Sequence, residues 1–387
     1  MLHSKLPNVG TTIFTVMSRL AADLGAVNLG QGFPDYPIDA RLAQLVHQAM
    51  LEGHNQYAPM IGVPLLREQI AAKIGRYYEV HPDPESQVTV TLGATEAIFS
   101  TIQALVGAGD EVIVFDPSYD SYEPAIELAG GRCLHARMLP PQFSPDWDEV
   151  RALFSERTRL VIINSPQNPA CTCLTSSDLD ELAGLLRGRD CRVLSDEVYE
   201  HVVFDGRVHH SVLAHSELRE RSVAVYSFGK TLHATGMRIG YAIAPAALTT
   251  ELRKVHQFNT FSIPTSLQQA IAVYLRERPD CGRDLSAFFQ PKRDLLAGLL
   301  KDSALRIRPA AGTYFQLMDY SAVSDEQDLV MAERLVRDAG VATIPLSVFY
   351  HDPPKLRLLR LCFAKRDETL SAGAQRLLEW VRASARA

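Results

Sequence analysis

The chain has 387 residues, 47% of them hydrophobic and 22% charged, which is enough apolar material for a large core and a length that suits two or three domains. A net charge of −6 argues against a nucleic acid or an anionic membrane as the main partner, because both demand a basic face. No apolar run approaches the roughly 20 residues of a membrane span, and residues 1–7 lack the apolar stretch of a secretion signal, so a cytoplasmic protein is expected.

Residues 1–40 carry short elements and turns, among them Gly30-Gln31-Gly32-Phe33-Pro34-Asp35, and read as an N-terminal segment that packs with a second domain or covers a cleft. From about residue 88 to 245, β-rich runs at 88–92, 111–115, 160–164, 192–195, 223–226 and 240–244 alternate with helix-length segments. The runs are apolar on both faces, as strands buried between helices must be. They predict an α/β fold with a mostly parallel sheet covered by helices, in a large domain spanning 41–285. Nearly every run ends in a polar or glycine-containing signature: Gly93-Ala94-Thr95-Glu96, Asp116-Pro117-Ser118-Tyr119, Asn164-Ser165-Pro166-Gln167-Asn168-Pro169, Asp196-Glu197-Val198-Tyr199, and Ser227-Phe228-Gly229-Lys230. Five strand ends therefore converge on one crevice, where such sheets place their ligands. After Pro264 come helices rich in Leu, Ala and Arg, then strands at 312–317 and 357–361 and an amphipathic helix at 366–385, which predict a smaller α+β domain over 286–387.

Lys230 follows a strand at a glycine-permitted turn and reads as a Schiff-base lysine. Ser227, Thr231 and Arg238 lie close to it in sequence and are the groups a phosphate dianion needs, so a phosphorylated aldehyde fits the stretch. Two rival motifs fail. Ser227-x-x-Lys230 has no S-D-N or K-T-G companion, and Gly229-Lys230-Thr231 lacks the upstream glycine of a phosphate loop, where Ala224 stands instead. Gly30-x-Gly32 and Gly107-x-Gly109 each lack the third glycine of a dinucleotide fingerprint. Asp196 at a strand end either caps a helix or meets a cation such as a protonated pyridine nitrogen, with Tyr199 on the same turn. Thr95 and Glu96 fit ordinary capping as well as phosphate binding at a helix N-terminus, Asn168 fits plain turn chemistry, and Tyr119 fits either core packing or ring stacking. The six cysteines show no framework of spacings and read as free thiols; Cys171-x-Cys173 is too short for a zinc half-site, and no metal is expected.

Taken with Asn28-Leu29-Gly30-Gln31-Gly32-Phe33-Pro34-Asp35, Asn55-Gln56-Tyr57-Ala58-Pro59-Met60, Asp116-Pro117-Ser118-Tyr119-Asp120-Ser121-Tyr122 and Arg360-Leu361-Cys362-Phe363-Ala364-Lys365, these motifs resemble the class I/II aminotransferases of the fold type I pyridoxal 5′-phosphate enzymes. The resemblance covers essentially the whole chain and is greatest to methionine aminotransferases and the kynurenine/glutamine transaminases. It implies a large domain with a seven-stranded sheet and a homodimer with shared active sites. The implied reaction moves the amino group of an L-amino acid, methionine or an aromatic one, to a 2-oxo acid by a ping-pong cycle. A β-lyase acting on cysteine conjugates, or a cofactor-sensing module without turnover, are the alternatives on the same fold.

Residue by residue, the resemblance implies that Lys230 holds the cofactor and shuttles a proton, and that Asp196 keeps the pyridine nitrogen protonated. Asn168 and Tyr199 would hold the ring oxygen, and Tyr119 would stack on the ring. Gly93, Ala94, Thr95, Ser227 and Arg238 would bind the phosphate, joined by Tyr57 from the neighbouring subunit. Arg360, with Gly32 and Asn168, would grip the substrate carboxylate, and Phe14 and Phe261 would line the substrate pocket. One departure is Cys171, which stands where relatives commonly carry glycine and so puts the turn after Asn168 in question.

Overall fold

A computed structural model describes residues 3–384. Residues 1, 2 and 385–387, which the expected terminal units and the last helix include, lie outside the described residues.

Seven strands form the large sheet: β1 (Val88–Thr91), β2 (Glu111–Asp116), β3 (Arg132–Arg137), β4 (Thr158–Asn164), β5 (Arg192–Asp196), β6 (Ser222–Ser227) and β7 (Gly240–Ile243). Their spatial order is β1-β7-β6-β5-β4-β2-β3, and β7 alone runs against its two neighbours. Sequence reading misses β3, and the reason is physical. It is an edge strand whose outer positions meet solvent, so Arg132-Cys133-Leu134-His135-Ala136-Arg137 never shows the apolar run of a central strand.

Alternate residues of the central strands feed two separate cores. Val223 and Val225 of β6 point into one, together with Ile98 and Ile102 of the helix Gly93–Leu105, while Ala224 and Tyr226 point into the other. Each fully buried Val, Leu or Ile stabilises by roughly 1.5–3 kcal/mol, so the strands are pinned from both sides and their ends are held in fixed register. That register sets Asn164 beside Asp196, and Ser227 beside Gly240.

The second sheet is antiparallel, with β8 (Arg306–Arg308), β9 (Phe315–Asp319), β10 (Ile344–Pro345) and β11 (Leu358–Cys362) in the order β10-β11-β9-β8. Its central strands begin three residues and one residue later than the sequence suggests, at 315 and 358. The helices Leu285–Leu300 and Asp367–Ser384 pack against each other beside it. The N-terminal segment is tied to this unit: Val27–Asn28 pairs in parallel with Val341–Ala342, and the Cys362 N–H donates to the Leu29 carbonyl at 2.7 Å. Between the helices Thr265–Glu277 and Leu285–Leu300 the chain passes through the proline- and charge-rich segment 278–284. Among the described residues no helix is long and apolar enough to cross a membrane.

Candidate active site

The C-terminal ends of β4, β5 and β6 open into a cavity of ≈ 140 Å³. Ala94, Thr95, Tyr119, Asn168, Asp196, Tyr199, Ser227, Lys230 and Arg238 all line it, so residues far apart in sequence meet at one place.

One end of the cavity suits an anion. The helix Gly93–Leu105 starts there without a side-chain cap on its first turn, leaving backbone N–H groups and the positive end of the helix dipole directed at the space. Gly93 adopts φ +72°, and a Cβ built on it would come within 2.8 Å of the Arg238 guanidinium, so only glycine lets that cation lie against the helix start. Arg238 itself sits in the left-handed region after the turn Thr235–Met237. Glu96 turns away from the cavity: its carboxylate accepts from the N–H of Leu92, the residue before the helix, at 3.2 Å and from Ser100 at 2.6 Å, so the first-turn N–H groups stay free, whereas Thr95 faces the cavity. Thr231 is not part of the site, because its hydroxyl bonds to the Ser227 carbonyl and the residue faces a different cleft beside Asp39 and His233.

Lys230 occupies the one-turn helix Phe228–Thr231 immediately after β6. Its Nζ donates to Tyr314 Oη at 3.0 Å, and Tyr314 in turn donates to the Gly32 carbonyl at 2.5 Å. The rings of Tyr199 and Tyr314 each lie 5.5 Å from the ammonium. Burial pulls the amine's pKa from 10.5 to about 8; nearby Asp196 opposes the fall, and the cations Arg238 and Arg360 add to it.

Asp196 ends β5 and is buried. It accepts hydrogen bonds from Tyr122 Oη at 2.7 Å and the Val198 N–H at 3.3 Å, neither of them a cation. Burial pushes its pKa up to about 6 against the pull of Tyr122. A buried carboxylate in that condition is stabilised by any cation brought to it from the cavity. Asn164 fixes the neighbourhood, donating to the Asp196 carbonyl at 2.8 Å and accepting from the Asn168 N–H at 2.8 Å.

Arg360, in the middle of β11, is 1% exposed. It donates to Asn168 Oδ1 at 2.6 Å and to the Gly30 carbonyl at 3.2 Å, and its guanidinium carbon lies 3.9, 5.2 and 5.5 Å from the ring centres of Phe315, Phe14 and Phe349. Its Nε is buried with no hydrogen-bond partner, a cost of roughly 1–3 kcal/mol that an incoming anion relieves. Gly32 is held close by, and a Cβ there would come within 2.7 Å of the Phe315 ring.

Tyr57 and Phe261 stand apart. Their rings pack edge to face at 5.4 Å, on loops joined by a bond from Ser262 to the Ala58 carbonyl at 3.0 Å, and they are 84% and 41% exposed. Neither lines this chain's own cavity. The turn after Asn168 is preserved without glycine: Cys171 itself takes φ +65° and keeps its N–H bond to the Gln167 carbonyl at 2.8 Å. Tyr122, Asn164 and Tyr314 lie within the strand and strand-end runs, yet nothing in the sequence marks them as site residues. Their contacts are made between elements, and no spacing rule reveals them.

The family described as aminotransferase class I and II matches residues 25–377. The chain belongs to that family. It is 53% identical to a methionine aminotransferase of Escherichia coli (strain K12) over 97% of this chain and 97% of that protein. It is 32% identical to the kynurenine–oxoglutarate transaminase 1 of Homo sapiens over 94% of each. A crystal structure from Escherichia coli, described as having a methionine aminotransferase function, superposes with a TM-score of 0.95 at 51% identity, covering 98% of this chain and 99% of that one. The fold is that of the fold type I transferases, and the protein is an aminotransferase.

Proposed function

We propose that this aminotransferase uses pyridoxal 5′-phosphate to move the amino group of an L-amino acid, methionine or an aromatic one, to a 2-oxo acid. One observation carries the reading: a lysine amine lowered to about 8 and a buried carboxylate in want of a cation share a cavity whose far end is built for an anion. The donor set fits a phosphorylated pyridine aldehyde. The helix start with Ser227 and Arg238 suits the phosphate, Asp196 the ring nitrogen, Asn168 and Tyr199 the ring oxygen, and Tyr119 the ring face. When bound, the cofactor supplies an electron sink for the bond broken at the substrate Cα and carries the amino group between the two half-reactions.

Lys230 Nζ takes the proton from the substrate Cα and returns it, which a group near pKa 8 does efficiently close to neutral pH. Tyr314 holds that nitrogen in place through the bond at 3.0 Å. Arg360 holds the substrate carboxylate, with its unpartnered Nε as the ready donor and Asn168 and Gly32 beside it. Phe14 and the rings around Arg360 form an apolar wall suited to an uncharged side chain. The similarity to the bacterial methionine aminotransferase points to methionine.

Tyr57 and Phe261 complete the site from a second copy of the chain, and their exposure as a packed aromatic pair supports a homodimer. The assignment of 1–40 as a segment that closes the cleft, 41–285 as the cofactor unit and 286–387 as the small unit belongs to the same reading, as does a cytoplasmic location. A panel of amino donors and oxo-acid acceptors tests it. Methionine and phenylalanine should be the best donors; release of pyruvate and ammonia from a cysteine conjugate without amino transfer would make it a β-lyase instead.

A further inference from the structure

Outside the cavity, three side chains from separate elements converge. Glu123 lies on the helix Tyr122–Leu128, His135 on the edge strand β3, and His351 on the loop that follows the turn Ser347–Phe349. Their ligating atoms all fall within 4.8 Å of one another. Glu123 Oε1 is 3.1 Å from His351 Nδ1 and 3.5 Å from His135 Nε2, and the two imidazoles stack with centres 4.4 Å apart. Behind His135 stands a buried carboxylate: Asp116 Oδ1 is 3.1 Å from His135 Nδ1, while Asp116 Oδ2 accepts the His351 N–H at 2.8 Å. His135 Nε2, on the side facing Glu123, is buried and makes no hydrogen bond.

A carboxylate behind one histidine, an open ring nitrogen in front of it, and a second histidine and a glutamate converging on that nitrogen make up a metal-ligand set with its supporting shell. We propose that Glu123, His135 and His351 bind a first-row divalent transition ion, Zn²⁺ in the first place, and that the ion clips the 347–351 loop to the edge of the large sheet. Two imidazole nitrogens and one carboxylate oxygen suit Zn²⁺ with water in the fourth position, whereas Ca²⁺ and Mg²⁺ want a shell of oxygens. Metal bonds of about 2.0–2.2 Å require the donors to draw closer, and His351, whose side chain is 54% exposed, is free to rotate out of the stack to do so.

The clip bears on the proposed active site, because the same loop already meets the large sheet through the Ser118 N–H to Phe349 carbonyl bond at 2.8 Å, and Phe349 leans on Arg360. The sequence points to no metal, because its one short cysteine pair is no zinc half-site and Glu123, His135 and His351 share no local spacing.

The test is calorimetric titration of tag-free holoenzyme with ZnCl₂ at pH 8, repeated on His351→Ala, Glu123→Gln and, as a control, the exposed His47→Ala. One Zn²⁺ per chain is expected, with affinity falling at least about tenfold in the first two variants and unchanged in the control. Saturation should raise Tm by a few degrees in the wild type and not in His351→Ala. Absence of stoichiometric uptake at roughly 100 μM Zn²⁺, or equal uptake by wild type and His351→Ala, would overturn the site.

Discussion

Two cations, Lys230, which lines the cavity, and Arg360, which reaches its edge by bonding to Asn168, are treated differently by burial. Lys230 ends a strand of the large sheet, touches a tyrosine hydroxyl, and is left with a pKa near 8, so it exchanges a proton near neutral pH. Arg360 is buried more completely on the small sheet. Burial lowers its pKa too, yet a guanidinium starts so high that it stays charged; it is tied to Asn168 and Gly30 and backed by three aromatic rings. In the proposed reaction the same desolvation suits one residue to act as a base and the other to receive an anion. What decides between chemistry and recognition here is the intrinsic proton affinity of the side chain, set against a common cost of burial.

The largest effect should come from removing the group that exchanges protons. Lys230→Ala is expected to lose at least about 10⁴-fold in kcat with methionine while the fold survives, and borohydride should fix the cofactor to Lys230 in the wild type; retained turnover in the variant would break the comparison. Asp196→Ala should slow the half-reaction followed by rapid mixing about a hundredfold, corresponding to roughly 3 kcal/mol of lost charge stabilisation. An unchanged rate would mean that the ring nitrogen is held by another group.

A pH effect of similar size follows from Lys230. Below about 8 its amine is protonated in the folded protein and cannot attack an aldehyde; above it the amine is free. The rate at which cofactor-free protein captures pyridoxal phosphate should therefore rise about tenfold per pH unit up to about 8 and then level off. A flat profile from pH 6 to 8 would show that the amine is already neutral. For Arg360→Lys, which keeps the charge but loses the two-pronged donor, kcat/KM should fall at least about tenfold, and equally for methionine and phenylalanine, since each charge-assisted bond contributes roughly 1.5–3 kcal/mol. A loss that depends on the substrate side chain would place Arg360 in specificity instead.

The smallest effect concerns the turn that carries Asn168. Cys171→Gly should change unfolding free energy in urea by less than about 1 kcal/mol, because relief of left-handed backbone strain offsets the loss of a buried thiol. A larger destabilisation would show that the side chain, and not the backbone, holds that turn.

Sequence by itself determined the α/β class, the alternation of buried strands and the single crevice at their polar ends, because a parallel sheet has one edge at which such strand ends converge, while the nine residues that line the cavity were singled out jointly by those signatures and by the family resemblance. It also carried Arg360, whose charge inside an apolar strand is costly without an anion. It did not show β3, whose half-exposed edge lacks the pattern of a buried strand. Nor did it show what Asp196, Asn168 and Lys230 lean on, since Tyr122, Asn164 and Tyr314 reach them across elements. Whether Glu96 caps a helix or faces a ligand, whether Thr231 joins the site, and that Cys171 accepts a glycine's backbone were decided by tertiary structure alone. Local propensity fixes which residues are strands and turns, but the direction of a side chain at a strand end depends on packing from elements far away in sequence.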